Sequence, residues 1–210
     1  ETFKYLNHTN YTAAEYTKRT HDIDINAVLE SYGDRTEVLI IMDTGSSEIE
    51  YLKRIQAQGI KVIVIDHHES KYSYEDYEGI TILNTTFERK AGKPFYKLSA
   101  AALCEIVFGL VIQKLNKPPL LSLKVLALCS MYSDSVDMSS PYARKLYNDA
   151  MAVPTNRFPL LVSRFMTENT TFSRRFIEFN LIPPINSLMR SENFGLLNSL
   201  LDWTPGGDSI

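Results

Sequence analysis

Two short apolar runs, separated by one helix length of amphipathic sequence, constrain this 210-residue chain more than any other feature. The first is 37–42, Glu-Val-Leu-Ile-Ile-Met, and the second is 60–65, Ile-Lys-Val-Ile-Val-Ile. Short apolar runs without strict alternation read as strands buried on both faces, the habit of parallel sheets. Asp43-Thr44-Gly45-Ser46 breaks the first run. Residues 47–58 then carry Ile49, Leu52 and Ile55 at helical spacing, with Gly59 as the stop. A strand–helix–strand unit of this kind has parallel strands and a right-handed crossover. A third strand is expected at 80–83, after a polar loop at 69–79, and a basic loop follows at 89–94. From Leu98 the pattern turns helical, at roughly 98–115, 120–132, 140–151, 157–166, 171–179 and 191–201. Pro118-Pro119, Pro154 and Pro183-Pro184 punctuate these segments. The expected fold class is α/β, a parallel sheet flanked by helices with a helical C-terminal half. Residues 1–36 are polar, with one helix candidate at 25–32 that Asp22 or Asp24 would cap and Gly33 would end.

Composition narrows the setting. Hydrophobic residues make up 44% and charged residues 22%, ordinary values for a soluble globular protein. No apolar run approaches the roughly 20 residues that span a bilayer. The N-terminus, Glu-Thr-Phe-Lys-Tyr, has no leader pattern. The expectation is a cytoplasmic protein with no membrane partner, whose native start lies upstream of Glu1. A net charge of −3 excludes a basic coat for nonspecific duplex binding but leaves room for a local basic groove. Cys104 and Cys129 lie in apolar helical segments without a CxxC pair, so they read as reduced, buried thiols rather than zinc ligands.

Ligands of open α/β sheets gather at the carboxyl ends of strands. Here the first strand ends in Asp43 and the second in Asp66-His67-His68. Adjacent strands lie about 4.8 Å apart, so the crossover brings these residues to one edge. Carboxylate oxygen with imidazole nitrogen suits a borderline divalent ion, Mn²⁺ first and Mg²⁺ second. Taken singly, a strand-end Asp is a turn residue and a His-His pair a surface accident; their shared placement favours a metal. Asp134 ends the apolar helix beginning at Leu120 and is either a plain helix-end residue or a third carboxylate ligand. Ser46 and Ser47 start the helix after Asp43, as caps or as an anion site at its N-terminus.

These residues together resemble the DHH phosphoesterase superfamily. The order is an apolar strand, Asp-x-Gly, a helix, an apolar strand, Asp-His-His, then a distant Ser-Asp after an apolar helix. Within that superfamily, Leu98-Ser99-Ala100-Ala101-Ala102-Leu103 and the segment Phe179-Asn180-Leu181-Ile182-Pro183-Pro184-Ile185-Asn186-Ser187-Leu188-Met189-Arg190 are similar to RecJ single-strand exonucleases. The resemblance covers about residues 15–201. It implies that Asp43 bridges two divalent ions and that His67 and Asp134 are ligands. It implies that His68 contacts the scissile phosphate, that Asp66 orients the histidines, and that Asn186 and Arg190 hold substrate phosphate. Arg19 and His21 fall where the family has a basic, substrate-facing segment. The implied activity is 5′-to-3′ hydrolysis of single-stranded DNA by a two-metal mechanism.

The chain also departs from the family. The first motif, an aspartate cluster after an N-terminal strand, is not found; His21-Asp22-Ile23-Asp24 has no strand before it and reads as a helix start. Met189 and Ser187 stand where the family has Gly and Ala. The expectation is a core over 1–201 that is incomplete at its N-terminus, with 202–210 a tail or the start of a linker. Another segment or chain would then supply the missing motif. Two rival functions follow: a phosphodiesterase for oligonucleotides or cyclic dinucleotides, and a non-catalytic DNA-binding or scaffold relative.

Overall fold

The computed structural model describes Glu30 and residues 36–92 and 96–191. The chain divides into two compact units, one holding the described residues through Cys104 and the other those from Glu105 onward.

The first unit contains a three-stranded parallel sheet in the order β1 (Val38–Met42), β2 (Lys61–Asp66), β3 (Thr81–Asn84). The expected parallel strand–helix–strand unit is present, with α1 (Ile49–Gln56) between β1 and β2. Ile49, Leu52 and Ile55 are all buried, as their spacing predicts, and they pack with Ile41, Val62, Val64, Tyr77, Ile80 and Phe87. Each such side chain contributes about 1.5–3 kcal/mol by leaving water. β2 is the central strand and is buried along most of its length. β1 is less buried than its apolar run suggests, because it lies at the edge of the described sheet, with Val38 and Met42 exposed.

The helix after β1 starts at Ile49 rather than Ser47, with Glu48 at the N-cap position. The intervening residues form a tight turn in which Asp43 (φ 67°) and Gly45 (φ 101°) both adopt left-handed backbone. Arg89 and Lys90, the first residues of the expected basic loop, instead end helix α2 (Thr85–Lys90), which the Asn84 side chain caps. Helix α3 (Ala100–Lys114) carries the chain into the second unit.

The second unit is helical in its described part. It contains α4 (Ser122–Ser133) and α5 (Pro141–Met151), whose N-cap Ser140 accepts from the Ala143 amide. Lys124 on α4 bonds both Glu105 and Asp149 at 3.1 Å, and Tyr142 donates to Glu105 at 3.1 Å. Burial would lower the Lys124 pKa, but those two carboxylates hold it above its ordinary value. The segment expected at 157–166 is instead a 3₁₀ turn (Thr155–Arg157) and a short helix α6 (Leu160–Arg164), separated by Pro159. Pro lacks the amide that a helix interior needs, so it stands at the start of α6.

The last described run is continuous: α7 (Arg174–Phe176), a π turn (Ile177–Leu181) and α8 (Ile182–Arg190). Pro183 and Pro184 therefore lie within a helical run, directly after the π turn, rather than between elements. The π turn directly precedes them, with the Ile182 amide bonded five residues back to Ile177. Cys104 and Cys129 are free, and burial pushes their thiols up to about 11 and about 12. Among the described residues, no helix is long and apolar enough to cross a membrane. The helix candidates at 25–32 and 191–201 lie essentially outside the described residues.

Candidate metal centre at the sheet edge

The register of the sheet assembles the site. Met42 pairs with Ile65, and the Asp43 amide donates to the Ile65 carbonyl at 2.9 Å, so Asp43 stands beside the end of β2. Asp66 in turn pairs with Asn84 at the end of β3. Left-handed backbone at Asp43 turns the chain sharply there, a conformation Asp tolerates better than most residues. Gly45 completes the turn. A Cβ on it would meet methyl groups of Ile41 and Val64 at 3.3 Å.

Asp43, His67 and His68 each offer one ligand atom, and these atoms lie within 4.8 Å of one another. Asp43 Oδ1 is 3.2 Å from His67 Nε2. Asp43 is mostly exposed while the His67 ring is largely buried, so the carboxylate is open to solvent on one side. One oxygen and two imidazole nitrogens at this spacing fit a divalent cation of the Mn²⁺ or Zn²⁺ kind.

Asp66 is 1% exposed and organises the histidines from behind. Its Oδ1 accepts the backbone amides of His67 (2.7 Å) and His68 (3.2 Å) and the His68 ring Nδ1–H (2.7 Å). Its Oδ2 accepts the Ser46 amide at 3.0 Å. Burial works against its charge, but the hydrogen bonds from Ser46 and His68 prevail and hold its pKa below the ordinary carboxylate range. An ionised Asp66 can only accept, which fixes the proton of a neutral His68 on Nδ1 and makes Nε2 the basic nitrogen. A carboxylate bonded to the far nitrogen of a histidine is a recurrent support of metal sites.

Ser46 has a different role from the one its position suggests. It is buried; its amide is committed to Asp66, its hydroxyl accepts from Asn84 Nδ2 at 2.8 Å, and its carbonyl accepts from the Tyr77 hydroxyl. It neither caps α1 nor offers a free amide to an anion. Asn84, which no sequence motif singles out, is fully buried and clamps the same turn. Its amide donates to Ser46 Oγ and to the His68 carbonyl at 2.9 Å, while its Oδ1 accepts from the amide and hydroxyl of Thr86. The available signal is an Asn after an apolar strand and before Thr85-Thr86, an N-cap pattern ending a third strand at the same edge.

The remaining candidates belong to the helical unit. Asp134 is half-buried at the C-terminal cap of α4, followed by Ser135 in left-handed backbone. Asn186 is half-buried and Arg190 exposed, both on α8. Arg19 and His21 lie outside the described residues.

Residues 2–131 match the DHH family, N-terminal domain. The fold is similar to that of the exonuclease RecJ bound to manganese, with a TM-score of 0.65 at 17% identity over 84% of this chain and 48% of that one. It is also similar to RecJ from Thermus thermophilus in complex with Mn²⁺, with a TM-score of 0.62 at 18% identity over 84% of this chain and 29% of that one. The Mg²⁺ complex from that organism gives a TM-score of 0.51 at 16% identity, over 84% and 30% of the two chains. The chain thus spans less than half the length of the RecJ structures it matches. No curated protein sequence matches it.

Proposed function

The chain belongs to the DHH family, and on that premise we propose that it hydrolyses phosphodiesters with divalent metal, acting as a RecJ-type exonuclease on single-stranded DNA. The observation that carries this reading is the cluster of Asp43, His67 and His68 at one sheet edge, braced by a buried, ionised Asp66. Asp43 and His67 hold the metal, Mn²⁺ before Mg²⁺, with Asp134 as a further ligand. Carboxylates from another segment or chain complete a two-ion site. When bound, two such cations would offset the negative charge that builds on the phosphoryl and leaving oxygens and would acidify water. Asp66 keeps His68 turned by accepting from Nδ1–H, and a His68 that carries a second proton donates from Nε2–H to the scissile phosphate. Arg190 and Asn186 hold a neighbouring phosphate, Arg through two parallel N–H bonds.

The test is a gel assay of the chain with Mn²⁺ on end-labelled single-stranded DNA, duplex DNA and a cyclic dinucleotide, alongside Mn²⁺ titration calorimetry. The expectation is weak but measurable cleavage of the single strand, with His67→Ala lowering it by more than about 100-fold. Cleavage of the cyclic dinucleotide alone would replace the exonuclease with a small-molecule phosphodiesterase. A chain that binds no Mn²⁺ would sink both.

A further inference from the structure

We propose that the helical run 174–190 carries a stacking platform for one base of a single-stranded nucleic acid, with Phe179 as the stacking surface and Arg175 as the phosphate contact. The identity of the polyanion rests on the proposed function above. The geometry of the platform stands by itself.

Phe179 is 70% exposed, whereas its neighbours Phe158, Phe172 and Phe176 are buried and stack on one another with centroids 4.7 and 6.1 Å apart. The core of this unit therefore takes up Phe158, Phe172 and Phe176 and leaves Phe179 in water. The π turn accompanies this arrangement: Ile177 and Leu181 point inward while Phe179 and Asn180 both stand outside. Single π turns recur at functional sites.

The ring lies in an open hollow lined by Arg174, Arg175, Glu178, Phe179 and Asn180. Arg174 bonds Glu178 at 2.9 Å, and its guanidinium stands 5.6 Å above the Tyr132 ring. Glu178 is thereby offset, and Arg175, with no ion-pair partner among the described residues, supplies the net positive charge of the hollow. A protein interface needs a contiguous desolvated apolar centre. One aromatic ring among Arg, Glu and Asn does not form one. It does combine the two elements of sequence-tolerant single-strand binding, a ring for a base and a cation for a phosphate. Asn180 adds an amide within reach of a base edge.

Fluorescence anisotropy of the full 210-residue chain with labelled oligo(dT), and with an abasic strand of equal length, tests the platform in metal-free buffer where cleavage is silent. Phe179→Ala is expected to weaken oligo(dT) binding by about tenfold or more while leaving the abasic strand unaffected. Phe179→Trp should keep the affinity and show indole quenching on binding, beyond any change from the native Trp203. Arg175→Ala should weaken both strands and flatten the plot of log K against log salt by about 0.7. The platform is overturned if oligo(dT) does not bind, if Phe179→Ala binds it like the unsubstituted chain, or if that variant alters only sedimentation, which would assign the ring to a protein contact. The proposed function fails separately: Phe179-sensitive binding without Mn²⁺-dependent hydrolysis leaves the platform standing and removes the enzyme.

Discussion

Asp66 answers four donors with two oxygens, and this makes it the least replaceable residue of the site. Asn in its place keeps one acceptor oxygen but turns an NH₂ toward another donor and removes the charge. Hydrogen bonds to charged groups are worth about 1.5–3 kcal/mol, so Asp66→Asn should cost about 2–4 kcal/mol in chemical denaturation. It should also weaken Mn²⁺ binding by about 10- to 100-fold in calorimetry, the usual effect of losing a histidine's supporting carboxylate. Full stability in Asp66→Asn would show that the carboxylate is not held in charged form. At this scale Asp43, Asp66, His67 and His68 are legible because they end or directly follow an apolar run, Asp43 after β1 and Asp66-His67-His68 at the end of β2. Asn84, at the end of β3, is legible only as an N-cap, because its donation to a hydroxyl and a backbone carbonyl leaves no motif. Ser46 misleads for the complementary reason: a Ser before a helix looks like a cap, and only the fold shows its amide turned to Asp66.

The β1–α1 turn is the element that aims the site, and Gly45 within it, set against Gly59 after α1, separates backbone strain from crowding. Gly45 and Gly59 both have positive φ, at 101° and 83°. A Cβ on Gly59 meets nothing within 4 Å, whereas one on Gly45 presses on Ile41 and Val64. Gly59→Ala should therefore cost about 1 kcal/mol from backbone alone. Gly45→Ala should cost about 2–4 kcal/mol, since strain and overpacking add. Only the second should weaken Mn²⁺ binding, because the displaced turn carries Asp43. Equal losses in thermal melts of the two variants would mean that the close packing at Gly45 is relaxed at no cost. The strands and α1 follow from sequence because apolar period alone specifies them. The ends of the later helices do not, because there proline decides. Pro159 starts a helix where continuous periodicity suggests an interior, and Pro183-Pro184 sit within a helical run where they suggest a break. Distinguishing these uses of proline requires knowing where the preceding carbonyls find donors, and the π turn supplies that only in three dimensions.

The candidate residues of the whole molecule are divided between its units. Asp43, Asp66, His67 and His68 belong to the first, and Asp134, Asn186 and Arg190 to the second. No composition shift or linker marks the division, because it falls within the continuous helix α3. This division makes metal binding a test of the proposed ligand set that needs no turnover. A ligand present at 100 times its Kd stabilises the protein that binds it by about 2.7 kcal/mol. For a chain of this length that is a rise of about 5–10 °C in Tm. If Asp134 shares the ion with Asp43 and His67, the binding energy is distributed over both units. Mn²⁺ should then slow hydrogen exchange of the amides in α4 as well as those in β2. Asp134→Asn should remove most of the Tm rise and the α4 protection together, as His67→Ala does. If the ion is held by the sheet unit alone, Mn²⁺ protects β2 and leaves α4 unchanged, and Asp134→Asn has no effect on Tm. Asp134 would then be the ordinary end of a helix, and the second ion would need its carboxylates from elsewhere.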